Sequence, residues 1–394
     1  MNMKQSADYI LHYLNGIPYL LPFGQGIADM RRGVRINETG AYVWKLLAEE
    51  SSEDKIMALC ASRFQAEKDE LPGLQSDIRQ FLDKLRLLHI LEEYPPRFPS
   101  APANLCLQIG GLKLALTGPT NYFSSAFSSF TTTFSEKDHF DQRIELLPVL
   151  PPSHPLGEAL LRSDQLIVLK NEDCYILIFP SAEGPLEARL TLDGSKVLLF
   201  AAGSPNEIFI KDVFHAIRLC FLYLAQKRGL FALHSASLLY RKHIWLFSGH
   251  SGVGKSTHTG LWHKLLQTPL INGDLNLLDC SHSVDFLRTP RVHGLPWCGT
   301  SEISTPGTWP LGGIIFLKQA PENDIERFSP EEGQLAISQH LISPSWTRKQ
   351  AVLNLNAAQD LTPHILVCRL CCTKEPQAVD TVRAVMDQWL DRLK

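Results

Sequence analysis

The chain has 394 residues, an apolar content of 44% and a formal net charge of −3 at pH 7. A chain of this length usually folds as two domains, and this apolar content is enough for each of them to form a core. Lys and Arg form no cluster along the sequence, which argues against a nucleic-acid partner and against an acidic membrane surface.

The N-terminus and the cysteines indicate where the protein works. The N-terminal segment lacks the continuous apolar stretch of a signal peptide, and no apolar run is long enough for a transmembrane helix. The 9 cysteines have irregular spacing, which is typical of a reduced protein rather than of a disulfide framework. We therefore expect a cytoplasmic protein.

Residues 1–95 have the pattern of a small domain with three strands followed by three helices. The strand-like runs read DYILHYL, IPYLLPF and RGVRINE. Asn37 or Thr39 is expected to cap the first helix. The apolar stripes of the three helices contain, in order, Trp44, Leu46 and Leu47, then Ile56, Leu59 and Cys60, and then Ile78, Phe81, Leu82 and Leu85.

Residues 96–104 are rich in Pro and have no periodicity, so we expect a linker there, followed by a second domain over 105–394. Its first part, 105–230, consists of short β-rich runs and one helical run, KDVFHAIRLCFLYLAQKRG. This pattern predicts a mixed sheet that leads into a helix, and by itself it indicates no function. The remaining part, 231–394, carries the residues that suggest chemistry.

A glycine-rich stretch in this part has the pattern of a phosphate-binding P-loop. A strand (HIWLF) enters GHSGVGKS, and a helix (THTGLWHKLLQ) leaves it, which is the context that the motif requires. Lys255 is expected to reach the β- and γ-phosphates and Ser256 to coordinate Mg²⁺, so ATP or another nucleoside triphosphate and Mg²⁺ are the expected cofactors. The predicted nucleotide-binding residues are Gly249, His250, Ser251, Gly252, Val253, Gly254, Lys255, Ser256 and Thr257.

Two further residues near this motif are candidates for chemistry. Asp274 ends the strand-like run TPLING, where an acidic residue beside a P-loop holds Mg²⁺ or accepts a proton from a hydroxyl; its alternative role is that of a turn-forming residue after Gly273. His234 lies in FALHSASL, and a lone histidine among apolar residues is either a core residue or a catalytic one.

One CxxC pair, Cys368 and Cys371, lies in the strand-like run HILVCRLCC. Their spacing on a strand directs the two thiols to opposite faces. We therefore favour a buried structural strand over a metal or redox site.

The N-terminal part resembles the PqqD family, small peptide-recognition domains of peptide-modification pathways, over about residues 20–92. The resemblance rests on VRINETGAYVWKLL and on DIRQFLDKLRLLHIL, an Asp-started helix. In that family a leader peptide adds a strand to the sheet edge and rests on the last helix, which implies peptide contacts by Val34, Arg35, Ile36, Arg79 and Lys84. The alternative for the apolar stripe of the last helix is the core of a winged-helix-like fold.

His234, the P-loop and Asp274 together resemble HPr kinase/phosphorylase over roughly residues 228–320. This family shares its fold with the ATP-dependent phosphoenolpyruvate carboxykinases. The resemblance implies that Asp274 is the base toward a serine hydroxyl and that His234 tunes it. The family usually has two adjacent acidic residues and a glycine-rich signature after them, and both are missing here. The chain is therefore closer to the HPr-kinase-like enzymes of peptide maturation, some of which phosphorylate serine in lasso-type precursors.

The stretch TPRVHGLPWCGTSEI, Thr289 to Ile303, stands where the missing signature is expected. Arg291 is predicted to pair with phosphate oxygens, and Gly299, Thr300 and Ser301 to offer N–H and hydroxyl donors. Phosphoryl transfer needs no thiol nucleophile, so Cys298 is interpreted as a packing residue.

Together the two resemblances predict a winged-helix-like PqqD domain of three strands and three helices before an α/β kinase domain with a mixed sheet. The expected function is phosphorylation of a serine in a ribosomally made precursor peptide, which is the expected partner; homo-oligomers are typical of relatives of this fold. The alternatives are a small-molecule kinase, for instance of free serine, and a nucleotide-switched peptide-binding protein. The predicted catalytic residues are Asp274, His234, Lys255 and Arg291, and the predicted metal ligands are Ser256 and Asp274.

Overall fold

In the computed structural model, the described residues are 2–28, 30–49, 51–88, 90–94, 103–135, 138–151, 157–280 and 290–392. The chain forms two compact units, Met1–Ser100 with Leu150–Gly157, and Ala101–Val149 with Glu158–Lys394. Of the linker predicted over 96–104, residues 96–102 lie outside the described residues.

The first unit contains two small sheets and a group of helices. Its strands are β1 (Asn2–Gln5), β2 (Tyr9–Leu14), β3 (Ile17–Pro22), β4 (Val34–Arg35), β5 (Ser51–Ser52) and β6 (Leu91–Tyr94). Its helices are α1 (Gln25–Ala28), α2 (Glu38–Leu46), α3 (Glu53–Phe64) and α4 (Leu71–Leu87).

One sheet of this unit has the order β2-β3-β4 and is built from the three strands that the sequence predicts. Asn15 and Gly16, both with positive φ, form the two-residue turn between β2 and β3, as is usual for an Asn-Gly hairpin. The other sheet, with the order β5-β1-β6, was not predicted. Its strands have only two to four residues, which is too short for a period-2 pattern to be visible.

The helices of the first unit follow the predicted stripes, with a difference at their ends. Asn37 caps α2 by accepting a hydrogen bond from the amide of Gly40, whereas Thr39 lies inside the helix. The last helix begins at Leu71 and not at Asp77, so the prediction of an Asp-started helix was wrong. Pro72 explains the difference, because proline reads as a loop signal although it fits the first turn of a helix.

The core of the first unit consists mainly of the apolar residues of α2, α3 and α4. On α4, Ile78, Leu82 and Leu85 are buried and Phe81 is partly buried, which confirms the core stripe. Leu59 is an exception, since it is 37% exposed and does not belong to the core of this unit.

The second unit begins with a mixed sheet, in which the strand order is β10-β11-β12-β13-β14-β9-β8-β7. Its strands are β7 (Leu105–Ile109), β8 (Leu112–Thr117), β9 (Gln142–Leu147), β10 (Glu158–Arg162), β11 (Ile167–Lys170), β12 (Cys174–Ile178), β13 (Pro185–Thr191) and β14 (Lys196–Ala201). A long helix, α5 (Glu207–Lys227), packs in the core below this sheet. The predicted mixed sheet that leads into a helix is therefore confirmed.

The rest of the second unit forms another mixed sheet with helices on it. The strands are β15 (Leu230–Tyr240), β16 (His243–Ser248), β17 (Leu270–Asn272), β18 (Leu275–Asp279), β19 (Arg291–His293), β20 (Thr308–Gln319), β21 (Asp324–Arg327) and β22 (Leu366–Cys372). The helices are α6 (Lys255–Leu266), α7 (Pro330–His340), α8 (Arg348–Leu361) and α9 (Gln377–Arg392). The sheet order is β16-β15-β18-β19-β20-β22-β21, and a further pairing of β16 with β20 closes a ring of strands.

The long strand β15 brings the candidate residues together. Its first half pairs with β18, with His234 opposite Leu275, and its second half pairs with β16, with Ser235 opposite Ser248. The start of β18 and the end of β16 therefore meet at the centre of β15. Asp274 and the glycine-rich loop extend from these two points.

The described residues contain neither a membrane-spanning helix nor a recognisable metal site. In that part of the chain, no helix combines the length and the hydropathy that a membrane span requires. Within the same ranges, no group of three or more His, Cys, Asp or Glu residues is arranged as a metal site. Cys368 and Cys371 both lie buried on β22, in the structural strand that was predicted for them.

The α4 core stripe leads to a stability prediction with an internal control. Leu82 is fully buried, so Leu82→Ala should destabilise the first unit by about 2–5 kcal/mol through lost burial and a residual cavity. Leu87 on the same helix is 80% exposed, so Leu87→Ala should change the stability by at most about 0.5 kcal/mol. Amide hydrogen exchange of peptides from this unit, measured by mass spectrometry, distinguishes the two variants; equal protection would contradict the assigned core.

Candidate functional site

The loop between β16 and α6 contains three glycines with left-handed backbone angles. Gly249, Gly252 and Gly254 have φ values of 142°, 77° and 108°, which L-residues with a side chain rarely adopt. A Cβ atom at Gly252 or Gly254 would meet no heavy atom within 4 Å, so the space above the loop is open. No side chain of the described residues caps the N-terminus of α6, which leaves its first amides free for an anion.

Lys255 is the first residue of α6, and its side chain folds back onto the loop. Its Nζ donates hydrogen bonds to the carbonyl oxygens of Gly249 and His250, at 3.1 and 3.3 Å. Burial lowers the pKa of Lys255 below its usual value, and the negative charge of Asp274 acts against this effect. The lysine is thus held over the loop and lies within electrostatic range of Asp274.

His234 and Asp274 form the central contact of the site. Nε2 of His234 lies 3.3 Å from Oδ1 of Asp274, and both side chains are about one third exposed (35% each). The hydrogen bond from His234 is the largest of the effects on the pKa of Asp274, which lies below its usual value; burial opposes it, and the charges of Arg218 and Lys255 add to it. Oδ2 accepts no hydrogen bond from a described residue, so one carboxylate oxygen is available.

Asn272, which is fully buried, fixes the turn that carries Asp274. Its Oδ1 accepts hydrogen bonds from the amides of Asp274 and Leu275, both at 2.9 Å. Its Nδ2 donates to the carbonyl oxygens of Leu295 and Trp297, at 2.9 and 3.2 Å. One carboxamide therefore joins the Asp274 turn to the loop that follows β19.

That loop, Trp297–Ser301, packs directly on the turn. A Cβ atom at Gly299, which has a φ of 62°, would lie 2.9 Å from Cβ of Asp274, so only glycine fits there. A Cβ atom at Gly273 would collide with the side chain of Ser301. The structure thus brings the predicted donors Gly299 and Ser301 next to Asp274, although the hydroxyl of Ser301 already donates to the carbonyl of Cys298.

Cys298 has the properties of a packing residue. Burial raises the pKa of its thiol above the usual value, and the charge of Asp274 raises it further. The thiolate is therefore disfavoured, in keeping with the absence of a nucleophilic role in the prediction.

Arg291 does not lie with the other predicted residues. It begins β19 and pairs with Asp279, at the end of β18 that is remote from Asp274. At a rise of about 3.4 Å per strand residue, it lies roughly 17 Å along the strand from Asp274. Its predicted pairing with phosphate at this site is therefore not supported. Because β19 runs antiparallel to β18, the start of β19 lies beside the end of β18 and not beside Asp274.

Two residues of the site were missed by the sequence analysis. Arg218 on α5 is a partly buried cation whose charge acts on Asp274. His340, the last residue of α7, has its ring 5.8 Å from the ring of His250 in the glycine-rich loop. Burial lowers the pKa of His340, so it is a neutral neighbour of the loop at neutral pH. Neither residue lies in a recognisable sequence motif, and both are brought to the site only by tertiary packing.

The first unit has a separate candidate site, a groove of about 880 Å³ between β4 and α4. Arg35, Ile36 and Lys84 line it, together with Phe81 and the N-terminal turn of α2. Strand β4 lies at the edge of its sheet and pairs only with β3 among the described strands. The groove therefore combines an available strand edge with an adjacent helix face.

The two remaining predicted peptide contacts lie elsewhere. Val34 is partly buried against the core of the unit. Arg79 donates from Nε to Oε1 of Glu53 on α3, at 3.1 Å, and does not line the groove. The groove-lining residues of α4 include Asp77, Phe81 and Lys84, one helical face to which Arg79 does not belong.

Comparison with known proteins identifies the N-terminal part. Residues 27–91 match the family model of Coenzyme PQQ synthesis protein D (PqqD), which confirms a PqqD-like domain in the first unit. A solved structure, TbiB1 in Complex with the TbiA(beta) Leader Peptide, is 22% identical; the match covers 23% of this chain and 98% of that chain, with a TM-score of 0.19. No curated protein matches the chain.

The role of Asn272 can be tested on the protein alone. Asn272→Ala removes the two hydrogen bonds that this buried side chain donates and the two that it accepts. We therefore expect a loss of about 1–3 kcal/mol in stability. The loss should be accompanied by faster amide exchange in the peptide that contains residues 272–279. The control is Asn356→Ala, because Asn356 is exposed on α8 and should be nearly neutral. Unchanged exchange in the Asn272 variant would show that the turn does not depend on this side chain.

Proposed function

We propose that the chain is a Mg²⁺-dependent kinase that transfers phosphate from ATP, or another nucleoside triphosphate, to a serine hydroxyl of a ribosomally made precursor peptide. The observation that carries the proposal is the position of Asp274. One of its oxygens is bound by His234 and the other has no partner among the described residues, while Lys255 of the glycine-rich loop lies within electrostatic range. This combination suits the transfer of a phosphoryl group to a hydroxyl.

The glycine-rich loop fits the phosphates of a nucleoside triphosphate. Its positive-φ glycines, open space and uncapped helix N-terminus are what a polyphosphate requires, and the sequence matches the P-loop pattern. Ser256 in the first turn of α6 and Asp274 would hold Mg²⁺, with water and phosphate oxygens completing the coordination. Bound Mg-nucleotide would supply the phosphoryl group and neutralise part of its charge.

The residues of the chain would then act mainly by positioning. Lys255 exchanges its two bonds to loop carbonyls for contacts with the phosphates. Oδ2 of Asp274 accepts the hydrogen bond of the serine hydroxyl and then its proton, while His234 holds Oδ1 and fixes the orientation of the carboxylate.

The PqqD-like domain supports a peptide as the acceptor. Domains of this family bind leader peptides by adding a strand at the sheet edge, and the groove between β4 and α4 offers that edge with Arg35 and Lys84 beside it. A tether to a second binding site raises the local concentration of a short acceptor segment to the order of millimolar.

The role of Asp274 is tested by Asp274→Asn, which keeps the shape and removes the charge. We expect phosphate transfer to slow at least about a hundredfold, as on the loss of a general base, with a modest change in nucleotide affinity. Transfer is measured by mass spectrometry of a candidate precursor, taken as a short peptide encoded beside this gene. The control is Asp360→Asn, an exposed aspartate on α8.

Other outcomes of this experiment assign other roles. A collapse of nucleotide affinity would make Asp274 chiefly a metal ligand. Near-normal transfer would remove it as the base and make His234 the next residue to test. Nucleotide hydrolysis without any phosphorylated peptide would favour a nucleotide-switched peptide-binding protein.

The role of the groove is tested by Arg35→Glu, with Arg79→Glu as the matched control outside the groove. Reversal of the charge at Arg35 should raise KM for a leader-bearing peptide and leave kcat nearly unchanged, because remote binding does not involve the transition state. Arg79→Glu loses an exposed ion pair to Glu53 and should leave both constants within about twofold. Equal KM values for peptides with and without leader would contradict leader recognition by this domain and favour a small-molecule kinase.

A further inference from the structure

Arg218 lacks a hydrogen-bond partner among the described residues. It lies partly buried on α5, and its guanidinium makes no hydrogen bond and no ion pair with any described residue. A guanidinium has five N–H donors, and leaving it desolvated and unpaired is costly. On the same helix, Nδ1 of His215 is also buried without a hydrogen-bond partner among the described residues. Two adjacent polar groups of one helix face thus lack the partners that buried polar groups normally have.

The neighbours of Arg218 on α5 pack on Trp297, in the loop that follows β19. Phe214 and Phe221 lie one turn before and one turn after it on the same face of α5. Both rings pack on the ring of Trp297, at centroid distances of 5.6 and 5.5 Å. The Trp297 indole N–H donates to the carbonyl of Phe214, at 2.9 Å, which fixes the indole against α5.

The contact continues from Trp297 to the site. The carbonyl of Trp297 accepts a hydrogen bond from Asn272, whose other end holds the amide of Asp274. The face of α5 that carries Arg218 therefore packs on the loop that borders Asp274. The hydrogen bond from His234 is the largest effect that lowers the pKa of Asp274, and the charge of Arg218 lowers it further, whereas burial acts in the opposite direction.

Arg218 and Lys255 lie on helices that belong to different cores. Helix α5 belongs to the core that contains Leu275 and Trp297, whereas α6 belongs to a separate core around Trp262. Lys255 and the loop amides already serve the phosphate side of Asp274 in the proposed function. Arg218 is the other cation whose charge acts on Asp274, and the phosphate leaves it without a role in the proposed transfer.

We propose that Arg218 binds a carboxylate that the acceptor carries next to its reacting hydroxyl. This inference rests on the proposed kinase function and specifies the acceptor chemistry of that same site. A planar guanidinium pairs with a carboxylate through two parallel hydrogen bonds, so it selects both the charge and the orientation of the acceptor. Three sources supply such a carboxylate: an acidic residue after the serine, the C-terminus of the peptide, and free serine.

The test uses small acceptors that differ only in this group. The acceptors are Ac-Ala-Ser-Asp-NH₂ against Ac-Ala-Ser-Asn-NH₂, Ac-Ala-Ser-Ala-OH against Ac-Ala-Ser-Ala-NH₂, and free serine against serinamide. With the full-length protein and MgATP, kcat/KM should be about tenfold or more higher for the acid in at least one pair, as expected for a charge-assisted bond. The pair with the largest ratio identifies the source of the carboxylate.

The variants are Arg218→Gln and the control Arg228→Gln, an exposed arginine near the end of the same helix. Arg218→Gln should bring the acid-to-amide ratio to about one and leave the nucleotide dissociation constant unchanged, whereas Arg228→Gln should keep the wild-type ratio. An equal loss for acids and amides would mean that Arg218 serves the transferred phosphate, and this result would overturn the proposal. A wild-type ratio of one in all three pairs would also overturn it.

A binding measurement separates this proposal from the kinase function. The Nε–H resonance of Arg218, assigned by its loss in the Arg218→Gln protein, is titrated with the same acids and amides in the absence of nucleotide. A saturable shift with an acid and not with its amide supports the carboxylate site even if no acceptor is phosphorylated, a result that would refute the kinase alone. A resonance that responds to neither overturns the carboxylate site.

Discussion

The carboxamide of Asn272 is the constraint on which the geometry of the site depends. It is fully buried, and its four hydrogen bonds join the start of β18 to the loop that follows β19. Because Oδ1 receives the amide of Asp274 itself, the direction of the aspartate side chain is set two residues earlier in the chain. The contact with His234 and the close packing of Gly299 both require this direction.

A consequence of this geometry is that Asp274 is surrounded by groups that donate hydrogen bonds or carry positive charge. His234, Arg218 and Lys255 all lower its pKa, and no second carboxylate is adjacent in the sequence. The carboxylate therefore stays ionised at pH values below the usual pKa of an aspartate. The stability that it contributes is fully present above the unfolded-state pKa, and it is lost as the pH falls through the lower folded-state pKa. Such a group is a weak base, which suits a transfer in which orientation contributes more than early proton removal.

Local patterns predicted those parts of the molecule that depend on neighbours in sequence. The stripe around Ile78 and Leu82, the Asn37 cap and the glycine-rich loop are of this kind. Arg291 shows the limit, since its position depends on the register of two antiparallel strands, which no local pattern fixes. Arg218 and Asn272 lie outside every motif and act through tertiary contacts. Arg79 could have been excluded, because at 100° per residue it is turned about 140° from Lys84 on the same helix.

In the proposed kinase, recognition is divided between the two units, and the two parts have different kinetic consequences. The groove beside β4 lies on a PqqD-like domain that is remote in sequence from the reacting groups, so its contribution is the same before and during transfer. A contact at Arg218 is different, because the group that it binds is attached close to the hydroxyl held by Asp274. A loss of fit there misplaces the hydroxyl itself, and misplacement slows the transfer step. Selection of the peptide through its leader and selection of the reacting serine are therefore physically separable in one chain.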